Sequence, residues 1–90
     1  MEDKAASPAR ALRCWTEGRR VWLELSDQRL VSFPATKYPL LAEAPQALLE
    51  KAKLRLQGLA LRWEELDEDI WVDDAVHGRF PQPETAFKAA

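Results

Sequence analysis

Residues 21–25 read Val-Trp-Leu-Glu-Leu, four turn-type residues follow, and a second apolar run stops at a proline. Alternation with a period of two belongs to a strand with one buried face. The segment therefore demands a hairpin: a strand over about 20–25, a bend at Ser26-Asp27-Gln28-Arg29, and a returning strand over about 29–33. Pro34 ends it, because proline has no N–H to give to a ladder. A two-residue bend at Asp27-Gln28 wants positive φ at its second position, where glutamine costs roughly 1 kcal/mol; the alternative is a longer bend. Pairing across the two-residue bend puts Val21, Leu23, Leu25, Leu30 and Ser32 on one face. Trp22, Val31 and Phe33, with Glu24, then share the other.

The remaining elements follow from the same kind of reading. Residues 11–16 are expected to form a first strand, with Leu12 and Cys14 on one face. Leu48, Leu49, Ala52 and Leu56 make a narrow apolar stripe at helical spacing, which predicts an amphipathic helix over about 45–57. Pro45 suits its first position and Gly58 its C-terminal cap. Leu59, Leu61 and Trp63 alternate with Ala60 and Arg62 as a returning strand over 59–63, which makes Trp63 a core residue. Ile70-Trp71-Val72 reads as a further short strand. Asp73 is expected to cap a last helical turn over 74–77, stopped by Gly78. The fold class is thus α+β: an antiparallel strand meander, one helix, a returning strand and a short C-terminal helical turn. One domain is expected over 10–80, with 1–9 disordered and 81–90 loose.

Several function classes are closed by composition. The 90 residues are 47% hydrophobic and 31% charged, values of a soluble globular domain. No apolar run approaches the ~18 residues of a membrane helix, and Met1-Glu2-Asp3-Lys4 lacks a basic-then-apolar export pattern. The expected location is cytoplasmic. The single cysteine, Cys14, allows no internal disulfide and no cysteine-based zinc site. Cys14 with the single histidine, His77, is a poor prospect for a nucleophile and its base, since Cys14 fits a small buried strand residue. An EF-hand counted from Asp67 fails, because Val72 stands where the sixth-position glycine belongs. The glycines stand alone, so no phosphate-cradling loop is present. No cofactor or metal is expected, and the chain does not read as an enzyme.

Charge is divided unevenly. The net charge of −2 combines +1 over residues 1–33 and +3 over residues 34–62 with −6 over residues 63–90. Glu64, Glu65, Asp67, Glu68, Asp69, Asp73 and Asp74 fall within residues 64–74 without a base among them. Such a block repels nucleic acid, whose phosphates need cations to displace their counterions. It reads either as a solvated loop or as a docking surface for a basic protein, whose approach it would speed. Trp22, out of phase with Val21, Leu23 and Leu25, is the tryptophan best placed to face outward. One helix covers only one side of a small sheet, so the Trp22-Val31-Phe33 face needs cover from a terminal segment, a partner protein or a second copy in a homodimer.

A run of residues ties these elements to a family. Leu25-Ser26-Asp27-Gln28-Arg29-Leu30, Pro34, Tyr38-Pro39-Leu40-Leu41 and above all Trp63-Glu64-Glu65-Leu66-Asp67-Glu68-Asp69-Ile70 resemble small bacterial proteins grouped as domain of unknown function 2442. The resemblance spans roughly residues 21–79 and departs at Gln28, where the family pattern has glycine. It implies a compact α+β unit. Some relatives are proposed antitoxins encoded beside small toxins, and some add a C-terminal helix-turn-helix for which this sequence leaves no room. The resulting expectation is a non-enzymatic interaction module masking a small basic toxin-like protein. Trp22, Val31 and Phe33 would supply apolar area, and Glu64, Glu65, Asp67, Glu68 and Asp69 the charge. A self-associating structural or adaptor domain is the alternative, and a nucleic-acid-binding domain ranks third; membrane is not an expected partner.

Overall fold

The computed structural model describes residues 7–81. In chain order they form β1 (Ala11–Glu17), β2 (Arg20–Leu25), β3 (Leu30–Pro34), a 3-10 turn (Ala35–Lys37), α1 (Pro39–Ala42), α2 (Gln46–Leu49), β4 (Lys53–Arg55), a second 3-10 turn (Leu56–Gly58), β5 (Ala60–Trp63), β6 (Glu68–Trp71) and α3 (Val72–Val76). The strands make two antiparallel sheets, ordered β1-β2-β3 and β4-β5-β6. The α+β class, the strand meander and the C-terminal helical turn are as the sequence predicts. The returning strand, however, joins a sheet of its own, and the core lies where the two sheets meet. Val21, Leu23, Leu25 and Phe33 from the first pack in one buried cluster with Leu61, Trp63 and Ile70 from the second, and with Leu41, Leu49 and Val72 from the helical segments.

The predicted helix over 45–57 is wrong beyond its first turn. Pro45 stands at the N-cap, and helical backbone runs only through Gln46–Leu49. The indole Nε1–H of Trp63 donates to the Leu49 carbonyl at 2.9 Å in the interior. That carbonyl would otherwise serve the next helical turn, so a tertiary bond replaces a local one. The chain then extends into β4, where Leu54 packs on the core between exposed Lys53 and Arg55. Leucines at helical spacing are therefore divided between interior and solvent: Leu49 is buried and Leu56 exposed. Gly58 is no helix cap. Its φ of +91° belongs to a corner pressed on β1, where an added Cβ would collide with the Ala11 carbonyl oxygen.

The first hairpin forms with a different register. Gln28 N–H donates to the Leu25 carbonyl and Leu25 N–H to the Arg29 carbonyl, with Gln28 at φ 77°. This is a three-residue loop, a tight turn followed by one left-handed residue. The extra residue slides the partners by one: Val21 faces Phe33, Leu23 faces Val31, and Trp22 faces Ser32. A one-residue slip turns a strand over. Phe33 is accordingly buried and Val31 half-buried against the core, so neither shares an outer face with Trp22. In β1 a register irregularity between Ala11 and Arg13 likewise separates Leu12, which is exposed, from Cys14, which packs on the core.

Two smaller corrections concern the ends. Asp73 lies inside α3, whose N-cap is Trp71, and makes no helix cap. Its carboxylate instead accepts the Ala9 N–H at 2.8 Å and pairs with Arg79 at 2.6 Å. Residues 7–9 of the segment expected to be disordered are thus placed, Ala9 by this bond, while 1–6 and 82–90 lie outside the described residues. In the turn between β1 and β2, Arg19 acts as a clamp on the segment 41–44. Its guanidinium donates to the carbonyls of Leu41, Ala42 and Ala44 at 2.9–3.1 Å. These carbonyls end or follow a four-residue helix; that of Leu41 also accepts the Ala44 N–H at 3.2 Å, and the cation adds a charged partner at the negative end of the helix.

Candidate functional site

The acidic stretch is the most charged feature of the sequence, and folding brings bases to it. β4 pairs with β5 and β5 with β6, so Arg62 lies between Lys53 and Asp69 in the sheet. All three guanidinium nitrogens of Arg62 are used: Nε to Glu64 at 3.2 Å, Nη2 to Asp67 at 2.9 Å and Nη1 to Asp69 at 2.7 Å. A planar fork of donors suits such a hub, and the surrounding carboxylates hold its pKa above the ordinary arginine value. Glu64 also pairs with Arg55, and Glu65 with Lys51. The Lys51 and backbone contacts hold the Glu65 carboxyl below its usual range, the backbone foremost. Asp73 and Asp74 share Arg79. Among the described residues Glu68 alone of the seven makes no ion pair. It is half-buried, and burial first, then its neighbours Asp69 and Asp67, push its carboxyl upward. Most of the acidic charge is therefore met internally.

The same sheet carries an open concavity of about 600 Å³ on its outer face. Its floor and walls include Ala60, Arg62, Asp69 and Trp71, with Arg55 and Leu56 at one side. Alternation explains Trp71: Ile70 points into the core, so its neighbour points out, and Trp71 is 56% exposed. Leu56 is 60% exposed for a different reason. It and Gln57 sit at φ 55° and 58°, a left-handed pair without a glycine. Such a conformation costs roughly 1–2 kcal/mol per residue and persists where the surroundings over-determine it. Here Arg10 Nη1 donates to the Gln57 carbonyl at 2.7 Å, and Gly58 abuts β1. The corner is pinned from both sides and holds Leu56 into solvent beside Trp71.

Trp22, the outward tryptophan of the sequence reading, is on the outer face of the first sheet. There it stacks on Trp15, its cross-strand partner, with centroids 6.2 Å apart and planes 8° apart. Arg13 lies over Trp15 at 4.8 Å and is itself bonded to Glu24 at 2.7 Å. Both rings are half-buried. Trp71, Leu56 and Arg62 are the surface residues the sequence reading missed. The alternation through Ile70 signals Trp71, whereas the helical stripe conceals Leu56.

Other chemistry is sparse among the described residues. Cys14 Sγ lies 3.7 Å from the Ala52 carbonyl, and burial raises its thiol pKa. His77 Nδ1 lies instead beside the Asp73 carbonyl at 2.9 Å. Among the described residues no group of three or more His, Cys, Asp or Glu side chains is disposed to hold a metal ion. No helix among the described residues is long and apolar enough to cross a membrane.

A family model described as protein of unknown function (DUF2442) matches residues 15–81, and the chain belongs to this family. A crystal structure of a protein of unknown function from Rhodospirillum rubrum ATCC 11170 is similar over 87% of this chain and 96% of its own, at 25% identity and a TM-score of 0.78. No curated protein matches the chain.

Proposed function

We propose that this DUF2442 protein is a non-enzymatic protein-interaction module whose partner seats on the concave outer face of β4-β5-β6, against Trp71 and Leu56. The observation that carries the reading is that pair: two large apolar side chains, each more than half exposed, border one concavity of about 600 Å³. Tryptophan in a desolvated pocket is a common anchor of protein interfaces, worth about 2 kcal/mol or more when truncated. The left-handed corner strengthens the argument, because the chain bears backbone strain to keep Leu56 out of the core. The partner implied by the family resemblance is a small basic protein, masked in the manner of an antitoxin. Glu68, without a cation of its own, lies on the Ile70 side of β6 and gives a partner that reaches round the strand edge a point of contact. The cytoplasm is the proposed compartment, in keeping with one unpaired cysteine.

The test is capture from the native host with the full chain, its Trp71→Ser and Leu56→Ser variants, and Trp22→Ser as a control. A stoichiometric partner retained by the wild type and by Trp22→Ser, but lost by the other two, is the expected result. Light scattering on the same proteins reports whether that partner is a second copy. Equal capture by all four proteins would remove Trp71 and Leu56 from the interface and end the proposal.

A further inference from the structure

β6 is an outer strand of its sheet, and its register decides which backbone groups look outward. Val72 N–H donates to the Leu59 carbonyl at 2.9 Å, and Ala60 lies opposite Trp71. In an antiparallel ladder alternate residues bond to the same neighbour, so Glu68 and Ile70 point their backbone groups at β5. Asp69 and Trp71 point theirs the other way. The Trp71 carbonyl, at an N-cap, serves the first bond of α3. Among the described residues, Asp69 N–H and C=O and Trp71 N–H have no backbone partner along this edge.

That edge borders a second cavity, of about 360 Å³, lined among others by Tyr38, Asp74 and Phe80. Asp69, Ile70 and Trp71 border both cavities, so the strand runs between them. The two sides differ in character. The outer side offers Trp71 and Leu56. The other carries three carboxylates, Glu68 without an ion pair and Asp73 and Asp74 sharing Arg79, against two cations, Arg79 and the Lys37 ammonium 5.5 Å from the Phe80 ring. The Tyr38 hydroxyl on that side is buried with no hydrogen-bond partner among the described residues. Burial, then the fields of Asp74 and Glu68, push the Tyr38 phenol up to about 12.

We propose that the open edge of β6 receives an extended segment of the partner protein as an added strand, with apolar side chains on the Trp71 side and lysine or arginine on the Glu68 and Asp74 side. Main-chain bonds to Asp69 would supply affinity, and alternate side chains in two unlike cavities would supply register and choice of sequence. A basic side chain is selected because the carboxylates on that side outnumber their cations. The proposal rests on the docking reading above and adds the form and charge of what docks.

The experiment titrates the isotope-labelled full chain with three capped five-residue peptides. One alternates valine with lysine, one alternates valine with glutamate, and one is the lysine peptide N-methylated at alternate backbone nitrogens, prepared in both phases. The lysine peptide should shift the Asp69 and Trp71 amide resonances, slow their hydrogen exchange, and bind about tenfold tighter than the glutamate peptide. One phase of methylation should weaken it by about tenfold and the other far less. Equal binding of lysine and glutamate peptides would overturn the basic preference. Indifference to methylation in both phases, or unmoved Asp69 and Trp71 amides, would overturn strand addition. If these fail while Trp71→Ser still loses its cellular partner, only the strand mechanism falls and the docking face stands.

Discussion

The outer faces of the two sheets are built from similar residues and end in different states. On the first, Trp15 and Trp22 lie ring on ring, Arg13 covers the stack, and Glu24 holds Arg13 in place. Each aromatic surface is covered by another group of the same face. On the second, the arginine is consumed by three carboxylates, and Trp71 has no ring contact among the described residues. A tryptophan on a sheet surface thus says little by itself. What distinguishes a docking surface is whether the neighbouring side chains already cover the ring.

This contrast can be broken at several points. The largest effect is expected from Gly58→Ala, which places a Cβ against the Ala11 carbonyl at a φ of +91°. A loss of about 3 kcal/mol or more in urea denaturation is expected. A near-neutral result would mean that the corner holding Leu56 outward is soft, and the second face would lose its rigidity. Next, Trp71→Ser should leave unfolding free energy within about 0.5 kcal/mol while removing about 2 kcal/mol or more of partner affinity by calorimetry. Trp22→Thr should do the reverse, lowering stability by about 1 kcal/mol through the lost stack and sparing affinity. If these two substitutions exchanged their effects, the assignment of the faces would be inverted.

The smallest effect is a pH effect at Glu68. Its folded-state pKa lies above the unfolded value, so the folded chain binds the proton more strongly and is penalised once the group ionises. The penalty is absent below the ordinary value of 4.5 and complete above the raised one. Glu68→Gln should therefore raise the melting temperature slightly at pH 7, with the gain fading below about pH 4.5. Asp73 gives the opposite sign. The Ala9 N–H, followed by Arg79 and His77, holds its carboxyl below the usual range, so its contribution is present above pH 3.8 and lost as the pH falls through the lowered value.

What the sequence discloses and what it hides follow a single division. Patterns that depend on neighbours within a strand are legible: the alternation at 21–25, the stop at Pro34, and the burial of Trp63 beside Leu59 and Leu61 all have local causes. Facts that depend on distant partners are not. The helix at 46 stops because an indole fourteen residues away takes the Leu49 carbonyl. The acidic stretch looks unpaired in one dimension because Lys51, Arg55 and Arg62 reach it only after β4 and β5 pair. The face carried by Phe33 turned on a single unit of loop length, which alternation on either side leaves undetermined.

That bend has a consequence for how relatives of this chain vary. Removing one residue from 26–28 would send Phe33 into water and draw Ser32 and Leu30 toward the interior, whatever the replacement sequence. Removing or adding two would preserve the sides. Length differences at this hairpin among folded homologues should accordingly be even numbers, and an odd one should arrive with a compensating bulge farther along the strand.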